Sequence, residues 1–144
     1  MRNAYNSEIL NSFSDINKLL YKVSKMDADR NGLTVVQLKA LYKISAQPNM
    51  GLVELAEHLK LTNSTVSGVV DRLVQNGLIE RHTLPHDRRA ITIRLSQKGE
   101  EKLEHIVLNE SLLVQKLNKI KQLPAEDIEN LLRIHKKVQS ILSE

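Results

Sequence analysis

The sequence predicts a mainly helical chain carrying one small β-hairpin, and three observations support that prediction. Apolar residues recur at spacings of three and four through most of the 144 residues. The period falls to two over residues 78–83 and 90–95, where Ile91, Ile93 and Leu95 share a face. Capping residues and glycines, among them Thr34, Gly51, Gly77 and Ser96, stand where the apolar pattern stops.

Each element follows from these signals. Ile9, Phe13, Ile16, Leu20 and Val23 predict a first helix over Ser7 to Met26, broken by Asp27 to Gly32. Thr34 with Gln37 three residues later makes a capping box, so a second helix runs through Leu38, Leu41, Tyr42 and Ser45 to Gln47 and Pro48. A third starts after Gly51, with Glu54 near its positive end and Val53, Leu55, Ala56 and Leu59 facing inward. Leu61, Thr62 and Asn63 form the turn to a fourth helix, capped by Thr62 or Asn63 and closed at Asn76 and Gly77. Leu78 to Thr83 and Ala90 to Leu95 read as two strands joined by a charged tip, Leu84 to Arg89. Ser96 caps one long fifth helix whose stripe is Leu103, Ile106, Val107, Leu113, Leu117 and Ile120. Pro124, Glu126 and Asp127 start a sixth, carrying Ile128, Leu131, Leu132, His135, Val138 and Leu142.

Composition narrows the functional classes. The length suits one domain with a real core. With no apolar stretch of membrane-spanning length and no signal-peptide core at the N-terminus, the expectation is a soluble cytoplasmic protein without a membrane partner. The absence of cysteine excludes disulfides, thiolate metal sites and thiol switches. His86 beside Asp87 lacks the nucleophile, phosphate loop or second acid that catalysis needs, so no enzyme is expected. The other histidines, His58, His82, His105 and His135, have no metal-ligand spacing, and no cofactor is expected either.

The charge distribution points to phosphate. Of the net +4, a surplus of three lies between Lys60 and Leu95. Within that stretch the fourth helix sets Val66, Val69, Val70, Leu73 and Val74 on one face and Ser64, Thr65, Ser67, Gly68, Arg72 and Gln75 on the other. A face of small hydroxyls, a glycine and an arginine, with Asp71 its single acid, can approach a polyanion closely. Thr62, Asn63 and Ser64 offer the free amides of a helix N-terminus to a phosphate. Thr65 and Ser67 are the candidates for base edges, and Gly68 permits close backbone approach. Hydroxyls discriminate bases poorly, which shifts specificity toward DNA shape and the hairpin. Arg72 either contacts phosphate or pairs within the protein with Asp71 or the hairpin.

Helices one, five and six are amphipathic, and the domain between them is too small to cover all three stripes. A second copy of the chain is the expected cover.

These residues resemble the MarR-type winged helix-turn-helix transcriptional regulators. The likeness rests on LVELAEHLKLTNSTVSGVVDRLVQNGLIER as the two-helix unit, DRRAITIRLSQKG as the wing and its exit, and LTVVQLKALYKI as the supporting helix. Asp87, Arg89, Leu95 and Ser96 fit the wing signature Asp-x-Arg, five residues, then Leu and Ser or Thr. The resemblance implies a winged helix-turn-helix at 31–96 flanked by dimerisation helices at 1–30 and 97–144. It also implies a homodimer on double-stranded DNA, usually a repressor, often released by a small ligand.

In such proteins the pair matching Asp87 and Arg89 braces the wing, and Arg88 or Arg89 then reaches into the minor groove. A small aromatic or apolar effector would enter between the dimerisation helices and the winged domain. Tyr5, Phe13, Tyr21 and Tyr42 are the only aromatics, expected to pack in the core rather than to line that cleft. The competing class is a winged-helix module that docks proteins and has lost DNA binding. An acidic or apolar recognition face would mark it.

Overall fold

The computed structural model describes residues 7–109 and 111–144, apart from the side chains of residues 84 and 87–90. The elements are α1 (Glu8–Arg30), α2 (Val35–Ala46), β1 (Met50–Gly51), α3 (Leu52–Leu59), α4 (Asn63–Gln75), β2 (Ile79–Leu84), β3 (Asp87–Leu95), α5 (Gln97–Leu108), α6 (Leu112–Ile120) and α7 (Ala125–Leu142). One core joins α2 through Leu38, Leu41 and Ile44 to α4 through Val66, Val70 and Leu73, with Leu55, Ile93, Leu103 and Ile106 closing it from α3, β3 and α5. Each such buried aliphatic side chain contributes about 1.5–3 kcal/mol. In α4 the partly buried Val69 and Val74 flank that core, so its predicted apolar stripe is its packing face.

The sheet is three-stranded in the order β1-β3-β2, where the sequence predicts two strands. Met50 and Gly51 pair antiparallel with Ile93 and Thr92, a strand too short to show a period in sequence. Asn49 before it has φ +65°, a left-handed conformation that asparagine tolerates better than most residues.

Three further expectations are corrected. α1 continues four residues past Met26 to Arg30, because Asp27, read as a breaker, is buried and bonded. The helix ends instead at Asn31 and Gly32, the glycine at φ +67°. The single long helix after Ser96 is two helices: Ser111 caps α6 through Val114 N at 3.2 Å, and Asp27 takes the next free amides. Val53 faces outward at 57% exposure, and the half-buried Leu52 takes its place against the core.

The helices outside the core are bare. α6 and α7 bury no residue, and α1 leaves Ile9, Ile16, Leu19 and Leu20 exposed. Phe13 and Tyr21 are exposed too, so the expectation that the aromatics pack in the core fails for them in the single chain; Tyr5 lies outside the described residues.

Candidate nucleic-acid interface

The two-helix unit turns on Lys60, which sits at φ +56° and ends α3 with Leu61 N bonding to Ala56 O at 3.1 Å. A glycine is the usual choice for that position, so the left-handed Lys60 carries no signal of its own, although the turn falls where Leu61 to Asn63 predict it. Thr62 is the N-cap of α4: Thr65 N donates to its Oγ1 at 3.3 Å, and its hydroxyl also meets Thr65 Oγ1 at 2.8 Å and Ser64 Oγ at 3.4 Å. Asn63 is therefore the first helical residue. No acid stands in the first turn of α4, so its positive end is not neutralised locally.

The candidate residues of α4 divide among three strips. Ser64, Gly68 and Gln75 form an exposed ridge, and a Cβ built on Gly68 would meet nothing within 4 Å. Thr65, Gly68 and Arg72 border a groove of about 280 Å³ shared with Thr34 and Gln37 at the start of α2. Ser67 is half-buried on the other flank, in a groove of about 230 Å³ with Leu52, Arg81, Ile91 and Ile93. At 3.6 residues per turn, Ser67 lies about 60° around the helix from Ser64, toward the wing. It is thus displaced from the ridge on which sequence reading set it.

Arg81 of β2 donates to the Asp71 carboxylate, tying the wing to α4. That pair gives the Asp71 carboxylate a partner other than Arg72. Arg72 is exposed and makes no ion pair among the described residues. It also means that Arg81, one of the cations counted toward phosphate, is half neutralised. Nothing in the ten-residue separation of Asp71 and Arg81 signals this contact in sequence.

The wing leaves the body through a tight lock. Gly77, at φ +74°, ends α4 in a Schellman motif, with Leu78 N to Leu73 O and Gly77 N to Val74 O both at 2.9 Å. Ser96 Oγ donates to Gly77 O and accepts from Gly99 N at 3.0 Å, while Lys98 Nζ donates to Asn76 O at 3.0 Å. The serine of the wing signature is therefore a clamp between the end of α4 and the start of α5. β2 and β3 pair from Ile79↔Leu95 to Thr83↔Ile91 and then jump to Leu84↔Asp87, so residues 88–90 leave the ladder at the tip. The side chains of Asp87, Arg88 and Arg89 lie outside the described residues, and so does the expected brace.

Behind this face, Tyr42 of α2 has a buried hydroxyl with no hydrogen-bond partner. Burial pushes its phenol above the usual range, Ser111 opposes that shift and the Asp27 charge adds to it. Among the described residues no group of three His, Asp or Glu side chains could hold a metal ion, and no helix is long and apolar enough to cross a membrane.

The arrangement matches known proteins. The family model of the MarR family matches residues 33–91. The uncharacterised HTH-type transcriptional regulator YhbI of Bacillus subtilis is 31% identical over 94 residues, 62% of this chain and 61% of its own. The HTH-type transcriptional repressor MdtR of the same organism is 32% identical over 79 residues, 55% of this chain and 51% of its own. The aligned part thus spans between half and two thirds of these relatives. Among solved structures, a mutant MarR of E. coli complexed with operator DNA superposes with TM-score 0.76 at 25% identity, covering 95% of this chain and 99% of that one. Staphylococcus aureus MarR in complex with salicylate and kanamycin superposes with TM-score 0.77 at 21% identity, covering 94% and 90%, a likeness of fold alone.

Proposed function

This chain belongs to the MarR family through its domain at residues 33–91, and from that premise we propose that it is a sequence-specific double-stranded-DNA-binding regulator, a repressor acting as a homodimer. The observation that supports this most directly is the ridge of Ser64, Gly68 and Gln75 on α4. It is exposed, built of small or neutral polar residues, headed by a positive helix end without an acid, and held beside the wing by Asp71 and Arg81. A helix presented in this way fits the major groove, which is wide enough to admit an α-helix. Thr62, Asn63 and Ser64 serve phosphate, Thr65 and the ridge face base edges, and Arg72 extends the phosphate contact along the helix. Ser67, on the wing flank, reads the edge of the same groove. Arg88 and Arg89, where the β-ladder opens, enter the minor groove, with Asp87 bracing them.

The dimer rests on the bare helices. α1, α6 and α7 carry apolar residues that stay exposed among the described residues, including Ile9, Leu20, Leu117 and Leu132, and Phe13 meets His135 edge-on at 6.2 Å beside a groove of about 340 Å³. Such continuous exposed apolar surface marks an interface. A two-fold dimer sets its two α4 helices in successive major grooves, so the operator is a rough palindrome with half-sites about 10 base pairs apart.

The test is a gel shift and footprint on the DNA upstream of the gene for this chain, with light scattering of the free protein. A palindromic footprint and a dimer mass are expected; a footprint on one half-site, or a monomer at micromolar concentration, overturns the reading. Salicylate added to the bound complex tests the accompanying expectation of release by a small aromatic effector.

A further inference from the structure

We propose that Asp27 is a positioning residue for DNA binding: from the last turn of α1, where Ala28 enters the core, it holds the start of α6 and so sets the separation of the two recognition helices. The chain crosses between core and arm twice, between α1 and α2 and between α5 and α6. Asp27 stands one turn before the first crossing, is 2% exposed, and holds the second. Its carboxylate accepts from Ser111 Oγ at 2.8 Å, from Leu112 N at 2.8 Å and from Leu113 N at 3.1 Å.

Among the described residues, every hydrogen bond between segment 111–144 and the rest of the chain ends on this one carboxylate. Apolar contact between α1 and α6 is non-directional and tolerates sliding, whereas three bonds converging on a buried carboxylate fix an angle. α5 goes with the core through Leu103 and Ile106, so the arm becomes independent of it after α5. Tyr42 reaches the same place from α2, its buried hydroxyl beside Ser111 and Asp27. Because Ala28 of the same turn is packed in the core, a change in the Asp27 joint shifts α6 and α7 relative to the winged unit. In a dimer held by α1, α6 and α7, that angle decides which half-site spacing fits.

The inference rests on the dimeric reading above, and its test separates the two. Because the chain has no cysteine, single labels can be placed at Glu57→Cys on α3 and Lys119→Cys on α6, and the labelled chain diluted with unlabelled chain. Pulsed spin-label spectroscopy then reads the distance between core and arm without DNA. The wild type is expected to give one narrow distance, Asp27→Asn a distribution at least twice as broad, and Ser111→Ala, which removes one of the three Asp27 bonds together with the α6 cap, an intermediate width.

On duplexes selected from a random pool by the wild type, a 2-base-pair change in half-site spacing is expected to weaken wild-type binding at least tenfold. For Asp27→Asn the same change is expected to weaken it less than threefold, with affinity for an isolated half-site within twofold of wild type. A narrow distance retained in both variants overturns the proposal, as does unchanged spacing selectivity. Failure of the wild type to select any duplex removes the DNA reading but leaves the distance measurement to decide the joint.

Discussion

Arg81 donates to the Asp71 carboxylate across the groove between β2 and α4, the one ion pair among the described residues that joins the wing to the recognition helix. Both side chains are 41–52% exposed, so the pair contributes only about 0–1 kcal/mol to stability. Its effect falls on geometry: it holds the wing against α4, at the angle the proposed DNA binding requires. Arg81→Ala and Asp71→Asn are each expected to leave the melting temperature within a few degrees of wild type while lowering operator affinity several fold. A double-mutant cycle in gel shifts checks the coupling, and additive losses would refute it.

Gly99 and Gly68 are both helical glycines with opposite surroundings. A Cβ on Gly99 would lie 2.0 Å from Leu78 O, where the start of α5 presses on the turn after α4, and the obstacle is backbone that cannot step aside. Gly99→Ala is therefore expected to destabilise by about 1–3 kcal/mol or more in urea unfolding. Gly68→Ala meets open space and removes a poor helix former, so it should stabilise by up to about 1 kcal/mol. On the proposed ridge the same methyl comes between backbone and DNA, and affinity is expected to fall as stability rises. Parallel changes in the two measurements would exclude a groove-facing role for Gly68.

How much of this was legible in the sequence depends on the range of the interaction. The capping box of Thr34 and Gln37, the cap at Thr62 and the stop at Gly77 are local, and each forms as the sequence reads. What escaped reading is set by partners far along the chain. Asp27 looked like a breaker because its bonds run to residues 84 to 86 positions away, and those bonds also split the predicted fifth helix. β1 needs β3 to exist, and the left-handed conformation of Lys60 has no glycine to announce it, although the turn that follows was legible at Leu61 to Asn63. In the recognition helix, periodicity separated buried from exposed residues, but not the ridge from its two flanks, which only the wing and α2 define.

The tip of the wing carries a charge prediction. Arg88 and Arg89 fall where the β-ladder opens, and each phosphate neutralised by a protein cation steepens the salt dependence of binding. Replacing both by Ala is expected to cost on the order of 1–4 kcal/mol of operator binding and to reduce the slope of log affinity against log salt by about 1–2. Fluorescence anisotropy across a salt series reads both. An unchanged slope would place the two arginines off the DNA.

Tyr42 gives the alkaline prediction. Its phenol is raised above the ordinary value of about 10, chiefly because its hydroxyl is buried. An acid that is neutral when protonated and has a raised folded pKa holds its proton longer in the folded than in the unfolded state. Between the unfolded and folded values the native protein therefore binds more protons, and stability falls as pH rises through that window. Tyr42→Phe removes the ionisation together with the unpaired hydroxyl, and replacing a buried polar atom that has no partner costs little or stabilises. The variant is expected to match or exceed wild-type stability at neutral pH and to lose less of it above about pH 10. Urea midpoints at pH 7 and pH 10.5 test this, and an equal decline in both proteins would show that the Tyr42 hydroxyl is not under the strain of burial.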